Sequence, residues 1–502
     1  MKTSQPHTSC CSRLNRRQFI SRLALAGGAA FIGINSCSFN ESVREIMDVP
    51  ILPGDGNARP RIRIGFMRTV DENWMGWPGA AYDPIESQEL YTNILEEANL
   101  DLKVILDIDA VPLNSNESID RFLKTAQSDN ADGTLIVLQD IYALRRDPLL
   151  NYFLEHRGKL PMVVFSPRGT SMTHIHSTFR NTPNFFMATT QYNEWLGHGL
   201  RMQKALWQMK NTRLAVISDT EERIEKLEPV GTTLHHMPFN RYLEAYHATA
   251  DSEDAKAIAR SYIRNAKDVV EPSDEEVLEG ARCYLASRHI MQETGCHSLT
   301  MACLNLIEHR KAPPPCIAYM QLLNERTCGG CEGDVNAALS LMLTSYLFNK
   351  PGFMHNPTSF NVQNTYGGSH CVAPTKMDGF DKLEETYLLR SHHETDWGTA
   401  PQVLFKENQP ATIFKFLSSD RVQVATGTIL CNIDTRPGDG TGGCRTSFEM
   451  QMDDVADVLD IRGHHNVLIY GKHLHDIRAW GQLAGIQIEH ITGGVLYSPQ
   501  EV

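Results

Sequence analysis

The strongest constraint on the fold is an alternation of short apolar runs with amphipathic stretches that begins at residue 61. The first run, RIRIGFM, is followed by IESQELYTNILEEANL, whose apolar residues recur at helical spacing. Further runs of this kind predict strands, namely LKVILDI, TLIVL, PMVVFS, RLAVIS and CIAYMQLL. Such a β-α-β rhythm predicts parallel sheets with helices on both faces.

The pattern changes after about residue 350, where apolar and polar residues alternate along ATIFKFL, VQVATGTIL and TSFEMQM. This alternation is typical of antiparallel strands. A chain of 502 residues also exceeds what one hydrophobic core usually serves. The predicted fold is therefore α/β, with two doubly wound, Rossmann-like domains at 61–190 and 191–348 and a mainly antiparallel β domain at 349–502.

The first segment, residues 1–40, has the composition of an export signal. Arg16 and Arg17 precede an apolar stretch of about a dozen residues and resemble a twin-arginine motif. Ile-Asn-Ser-Cys, ending at Cys37, resembles a lipobox, so lipidation of Cys37 and ordinary cleavage nearby both stay open. We predict export to the periplasm, with membrane attachment only through a lipid anchor. Residues 41–60 are predicted to form a linker.

Charge and motif content disfavour several classes of function. The formal net charge of −13 disfavours nucleic acid as a partner and favours a small neutral substrate or a bound cation. Neither a Gly-rich dinucleotide fingerprint nor a Walker A motif occurs, which disfavours nicotinamide and nucleoside-triphosphate chemistry. The twelve cysteines show no paired framework, so we interpret most as small buried hydrophobes, with a disulfide or two left open.

The segment CGGCEGDVNAAL carries two candidate carboxylates. Glu332 follows a glycine-rich turn and is either a metal ligand or proton acceptor, or a solvated surface acid. Asp334 is predicted as the N-cap of the next helix. Cys328 and Cys331 form a lone C-x-x-C pair, which does not support a structural zinc site.

Two later segments carry candidate ligands. His355, Asn356 and His370 are predicted on loops, because Asn-Pro and Gly-Gly dipeptides mark turns. His464 and His465 precede the predicted strand NVLIY, and adjacent strand residues point to opposite faces, so one of the two can face a given site. Isolated histidines are more often structural than ligating, which is the alternative for each of them.

Together, CEGDVNAAL, the stretch from FMHNP to GGSHC, and the stretch from GCRTSFEMQM to GHHNVLIYG resemble the L-fucose and L-arabinose isomerase superfamily. The resemblance covers most of the chain after residue 60. It implies a homo-oligomer, a trimer or hexamer, of three-domain subunits. It also implies a divalent metal, commonly Mn²⁺, and interconversion of an aldose and a ketose monosaccharide through a cis-enediol.

By this resemblance, Glu332 corresponds to the first metal ligand and catalytic carboxylate, and His465 to the C-terminal histidine ligand. His370 corresponds to a metal-site histidine and is predicted here as a substrate contact. The second catalytic carboxylate corresponds to Asn356, whose amide oxygen can bind a hard cation but cannot accept a proton. Glu332 would then move the proton alone, or with His355, His370 or a metal-bound water, unless another acid serves.

Substrate contacts are also predicted nearer the N-terminus. Trp77, with Trp74, could stack on a sugar, although a core role is the alternative, and Arg68 could reach a hydroxyl. A different class of function stays open, namely a non-catalytic exported sugar-binding protein that has kept a degenerate isomerase site. A secreted sugar oxidoreductase is disfavoured by the missing Gly-rich loop.

Overall fold

The structure, a computed structural model, describes residue 53 and residues 58–69, 82–145, 148–250, 252–435 and 443–499. The predicted signal residues Arg16, Arg17 and Cys37 and the predicted sugar-stacking Trp77 lie outside these ranges. Among the described residues, no helix is long and apolar enough to cross a membrane.

The first sheet, called sheet A, is fully parallel, with strand order β2-β1-β3-β4-β5. Its strands are β1 (Arg61–Met67), β2 (Ile105–Ile108), β3 (Gly133–Leu138), β4 (Met162–Pro167) and β5 (Phe185–Thr190). The associated helices are α1 (Pro84–Leu102), α2 (Asn116–Ser128), α3 (Tyr142–Arg145), α4 (Leu149–His156), α5 (Thr173–His176) and α6 (Trp195–Asn211), with a 3₁₀ turn at Ser177–Phe179. Every residue of β3 is buried, as expected for a strand covered on both faces.

The second sheet, called sheet B, is parallel except at one edge, with strand order β10-β9-β6-β8-β7. Its strands are β6 (Arg213–Ser218), β7 (Arg223–Lys226), β8 (Thr233–Pro238), β9 (Ser298–Met301) and β10 (Gly329–Gly330). Its helices are α7 (Phe239–His247), α8 (Glu253–Asn265), α9 (Asp274–Thr294), α10 (Leu304–Glu308), α11 (Cys316–Asn324) and α12 (Val335–Phe348). Strand β7 runs antiparallel to β8.

One strand prediction in this region was wrong, because CIAYMQLL forms helix α11. The segment is buried on almost every side, so nearly all of its residues are apolar. Its sequence therefore lacks the spacing of apolar residues by which a helix is distinguished from a strand. The helix begins after Pro315, where a missing backbone N–H costs nothing.

The C-terminal region forms a closed barrel of six antiparallel strands, ordered β15-β18-β11-β12-β17-β16, with β16 pairing back to β15. Its strands are β11 (Phe353–Phe360), β12 (Thr365–His370), β15 (Gln409–Ser418), β16 (Arg421–Asn432), β17 (Thr446–Met452) and β18 (Asn466–Tyr470). The remaining elements are β13 (Tyr387–Arg390), β14 (Ala400–Val403), a 3₁₀ turn at Val458–Asp460, α13 (Leu474–Ala484), β19 (Gln487–His490) and β20 (Val495–Tyr497). Two parallel-stranded sheets followed by an antiparallel β region confirm the predicted fold class at this level.

The prediction that His355, Asn356 and His370 lie on loops was also wrong, because they belong to strands β11 and β12. Gly368 marks no turn here. A Cβ at that position would lie 2.4 Å from the His355 ring and 2.4 Å from the Phe448 ring. The glycine is therefore explained by the aromatic rings that fill the barrel interior.

Helix α12 lies between the α/β part of the structure and the C-terminal barrel. It packs against α6 on one side and against strand β15 of the barrel on another. Ser340 of this helix accepts a hydrogen bond from the backbone N–H of Phe416, at 2.9 Å. Asn336 donates to the carbonyl of Leu417, at 3.0 Å. The amino end of α12 is thereby fixed against the barrel.

Candidate metal centre

Glu332 lies in the turn between β10 and α12, at the edge of sheet B where its parallel strands end. Open parallel sheets commonly bind ligands outside this edge. Its backbone is left-handed, with φ at 58°, and Gly333 follows with φ at 68°. For a residue with a Cβ this conformation costs about 1–2 kcal/mol, and such strain is concentrated at functional sites.

Two histidines from the barrel meet this carboxylate. The Nε2 atom of His370, at the end of β12, lies 3.3 Å from Oε1 of Glu332, and the Nε2 atom of His465, just before β18, lies 3.1 Å from Oε2. One ligand atom from each of the three residues lies within 4.8 Å of the other two. The structure therefore contains a triad with metal-binding geometry, formed from segments far apart in the chain.

The buried polar atoms of this region are incompletely satisfied. Nε2 of His370 and Nε2 of His465 are buried and contact Glu332 without forming a well-aligned hydrogen bond. The buried Oδ1 of Asn356 has no hydrogen-bond partner among the described residues. Asn356 pairs with Ser369, the residue that precedes His370 on the neighbouring strand. Buried polar atoms usually have partners, and an imidazole with a carboxylate and an amide oxygen suits a divalent cation. The residues present thus fit a cation.

His465 is oriented by a second carboxylate. Its Nδ1 lies 3.0 Å from Oδ2 of Asp334, which also accepts from the ammonium of Lys415, at 2.7 Å. The same ammonium donates to the carbonyl of His464. With the ring proton held on Nδ1, the lone pair of Nε2 points toward Glu332, as is usual for metal-binding histidines.

The two histidines differ in which ring nitrogen carries the proton. Nδ1 of His370 accepts from the backbone N–H of Val372, at 3.3 Å, which leaves the proton of the neutral ring on Nε2. Nε2 is the nitrogen that faces Glu332. His465 is therefore set up as a ligand, whereas His370 is set up to donate to Glu332 or to a bound substrate, which is its predicted role.

The electrostatics of the cluster favour charged carboxylates. Contacts with His370 and then His465 hold the pKa of Glu332 well below its usual range, against the effect of burial. Burial raises the pKa of Asp334, but hydrogen bonds with His465 and Lys415 outweigh this effect and lower it. Burial also disfavours protonated His465, yet Asp334 and Glu332 raise its pKa. A carboxylate stabilised in its charged form is a good cation ligand and a weak proton acceptor.

Two other predicted residues are not members of the triad and have partners of their own. Both ring nitrogens of His355 are engaged, Nδ1 with the carbonyl of Phe353 at 3.0 Å and Nε2 with the hydroxyl of Tyr366 at 2.8 Å. Arg68 lies at the carboxyl end of β1, on sheet A, and donates to Gln139 at 2.7 Å. Strands β1 and β3 lie where the strand order of sheet A reverses, a position where parallel sheets form clefts.

Lys415 is the member of the site that the sequence reasoning missed. It lies within the alternating run ATIFKFL and is 7% exposed. A buried ammonium requires a counter-charge, so a lysine at a buried position of a strand was a signal that an acid lies nearby.

No protein-family model matches this sequence, and a search of curated proteins found no relative.

Proposed function

We propose that the protein is a metal-dependent aldose–ketose isomerase whose cation is held by Glu332, His465 and Asn356, with His370 contacting the substrate. The convergence of Glu332, His370 and His465 on one point carries this proposal. The isomerase resemblance supplies the reaction, and with it Mn²⁺ as the metal and two doubly wound domains before the β domain. The same proposal includes twin-arginine export to the periplasm and a homo-oligomer.

The chemistry divides between the cation and the chain. A bound divalent cation would act as a Lewis acid toward O1 and O2 of the open-chain sugar, the oxygens on the two carbons between which the carbonyl group moves. Glu332 is the carboxylate in contact with both Nε2 atoms and is the proposed acceptor of the C2 proton. Asn356, where the resemblance places a second carboxylate, can contribute an oxygen ligand but no proton acceptor.

A second candidate is a non-catalytic sugar-binding protein of the same fold. Two observations favour it. Position 356 is an amide, and the two histidines lower the pKa of Glu332, which weakens it as a base. Such a site would hold a cation and a sugar without exchanging the C2 proton.

Metal analysis and isotope exchange separate the two candidates. The purified protein should contain about one divalent cation per chain, measured by elemental mass spectrometry. Sugars labelled with deuterium at C2, from a panel of pentoses, hexoses and deoxyhexoses, should lose the label to solvent if the protein is an isomerase. Metal with no exchange across the panel supports the binding protein. Absence of metal at every divalent cation tested contradicts both.

A matched pair of variants ties the result to the site. His465→Gln removes an oriented ligand, whereas His464→Gln changes the adjacent, exposed histidine. We expect loss of bound cation in the first variant and full retention in the second. Equal retention in both would remove His465 from the site.

Restoring the missing carboxylate tests the catalytic argument. Asn356→Asp should raise isomerase activity on at least one sugar of the panel by about 10²–10⁴-fold, the usual contribution of a general acid–base group. Initial rates of ketose formation provide the measurement. Unchanged activity across the panel would show that the missing base is not what limits turnover.

A further inference from the structure

Two cysteines lie side by side where β12 ends and β17 begins. His370 pairs with Thr446 at the end of these strands. Cys371 immediately follows His370, and Cys444 lies two residues before Thr446. Their thiol groups are in contact. The loop geometry agrees, because a Cβ on Gly443 would lie 3.6 Å from the Cβ of Ser369. A disulfide requires Cα atoms within about 7 Å of each other, and contacting thiols are compatible with this requirement.

Hydrogen bonds fix the backbone around Cys444. The carbonyl of Cys444 accepts from Ser447 at 2.7 Å and from Thr435 at 3.2 Å. Arg445, 1% exposed, donates to the carbonyl of Ser391 at 2.8 Å. These hydrogen bonds hold the segment that carries Cys444 beside the end of β12.

Exposure distinguishes this pair from a second one. Cys444 is partly exposed, whereas Cys371 is 2% exposed. Cys303 and Cys331 also have contacting thiols, but they are 4% and 3% exposed. A thiol reacts with a solvent-borne disulfide only where that disulfide can reach it. Cys444 thus offers an entry point that the second pair lacks.

We propose that Cys371 and Cys444 form a reversible disulfide by exchange with a small-molecule disulfide. Cys444 loses its proton, and its sulfur attacks one sulfur of the reagent, which forms a mixed disulfide and releases one small thiol. Cys371 loses its proton, and its sulfur then attacks the Cys444 sulfur and releases the second thiol. The two protein thiols are oxidised by two electrons, and the reagent disulfide is reduced to two thiols, which take up the two protons.

The cross-link would fasten the end of the strand that carries His370, because His370 immediately precedes Cys371. It would close the long chain segment between β12 and β17 at its base. This inference is independent of the proposed isomerase activity, because it depends on the sulfur positions alone.

Peptide mapping of the folded, full-length protein tests the proposal. The protein is equilibrated with defined ratios of oxidised and reduced glutathione, acid-quenched, alkylated and digested without reduction. We expect a linked peptide containing Cys371 and Cys444, with Cys303 and Cys331 recovered as alkylated thiols. Cys371→Ser should leave Cys444 as a persistent glutathione adduct. Cys444→Ser should leave Cys371 as an alkylated thiol.

Three results would overturn the proposal. The first is a glutathione adduct at Cys444 in the unsubstituted protein with no linked peptide at any ratio. The second is the absence of both adduct and link, since Cys444 would then be inaccessible. The third is equal linkage of Cys303 to Cys331, which would show that exposure does not select the pair. The unsubstituted protein alone decides all three, so the result stands even where a variant fails to fold.

Discussion

Asp334 serves two elements because its two oxygens have different partners. Oδ1 accepts from the backbone N–H of Ala337, at 2.9 Å, and so caps helix α12 as the sequence predicts. Oδ2 accepts from His465 and Lys415. A local sequence pattern predicts the cap, since both of its residues lie within one helical turn. It does not predict the histidine, which is 131 positions away.

This double role leads to a prediction for Asp334→Asn. The amide can still cap the helix, but it no longer offers a carboxylate to Nδ1 of His465, so the orientation of that ring is lost. We expect cation affinity to fall by roughly 10–100-fold, the usual effect of removing such a partner. Isothermal titration of the cation provides the measurement.

The matched control is Asp476→Asn. Asp476 contacts Nδ1 of His473 at 3.0 Å, so the same chemistry is changed away from the triad. Cation affinity should be unchanged in that variant. If both variants bind the cation as the unsubstituted protein does, Asp334 does not orient the ligand.

Buried His355 makes stability depend on pH. Burial lowers its pKa to about 3, from 6.5 in the unfolded chain. The unfolded state therefore binds the proton more readily. The stabilisation is complete above pH 6.5 and is lost as the pH falls toward 3, at about 1.4 kcal/mol per pH unit.

The test compares the unsubstituted protein with His355→Gln, which can still bond to the Phe353 carbonyl and the Tyr366 hydroxyl. Urea unfolding is measured at about pH 7.5 and about pH 5. The unsubstituted protein should lose about 2 kcal/mol more than the variant between these conditions. Equal losses would mean that His355 is not buried in its neutral form.

At the scale of secondary structure, the apolar patterns predicted most strands and helices, because each pattern records which face is buried. They failed where burial surrounds an element, as in α11, and where small residues serve packing rather than turns, as in β12. The failure at β12 is physical. The reason for Gly368 is the pair of rings above it, and those rings belong to other strands.

The same contact predicts the effect of Gly368→Ala. The added Cβ would lie 2.4 Å from the His355 and Phe448 rings, so strands or rings must shift. Overpacking of this kind costs about 1–3 kcal/mol. The free energy of unfolding in urea provides the measurement. Gly494→Ala, whose added Cβ would meet its nearest atom at 4.0 Å, should change it by no more than about 0.5 kcal/mol.

At the scale of the whole molecule, Glu332 belongs to the edge of sheet B, and His370 and His465 belong to the barrel. The sequence nominated all three residues, but their convergence depends on how α12 packs against β15, which no local pattern records. A cation that binds Glu332 and His465 stabilises only the state in which both parts are folded and packed together.

Chelation should therefore destabilise the protein. With free cation at about 100 times its dissociation constant, binding contributes about 2.7 kcal/mol to the free energy of unfolding. Thermal unfolding of the metal-loaded protein, with and without a chelator, provides the measurement. His465→Gln should show no such difference, and a chelator effect of equal size in that variant would place the stabilising cation elsewhere.

The site at the junction between sheet B and the barrel can be completed only after His465 has been synthesised. Glu332 is translated well before His465, and neither residue alone offers a complete coordination sphere. An ion could bind fully at this junction only once both parts are in place. Its occupancy would report that the barrel has closed onto the edge of sheet B.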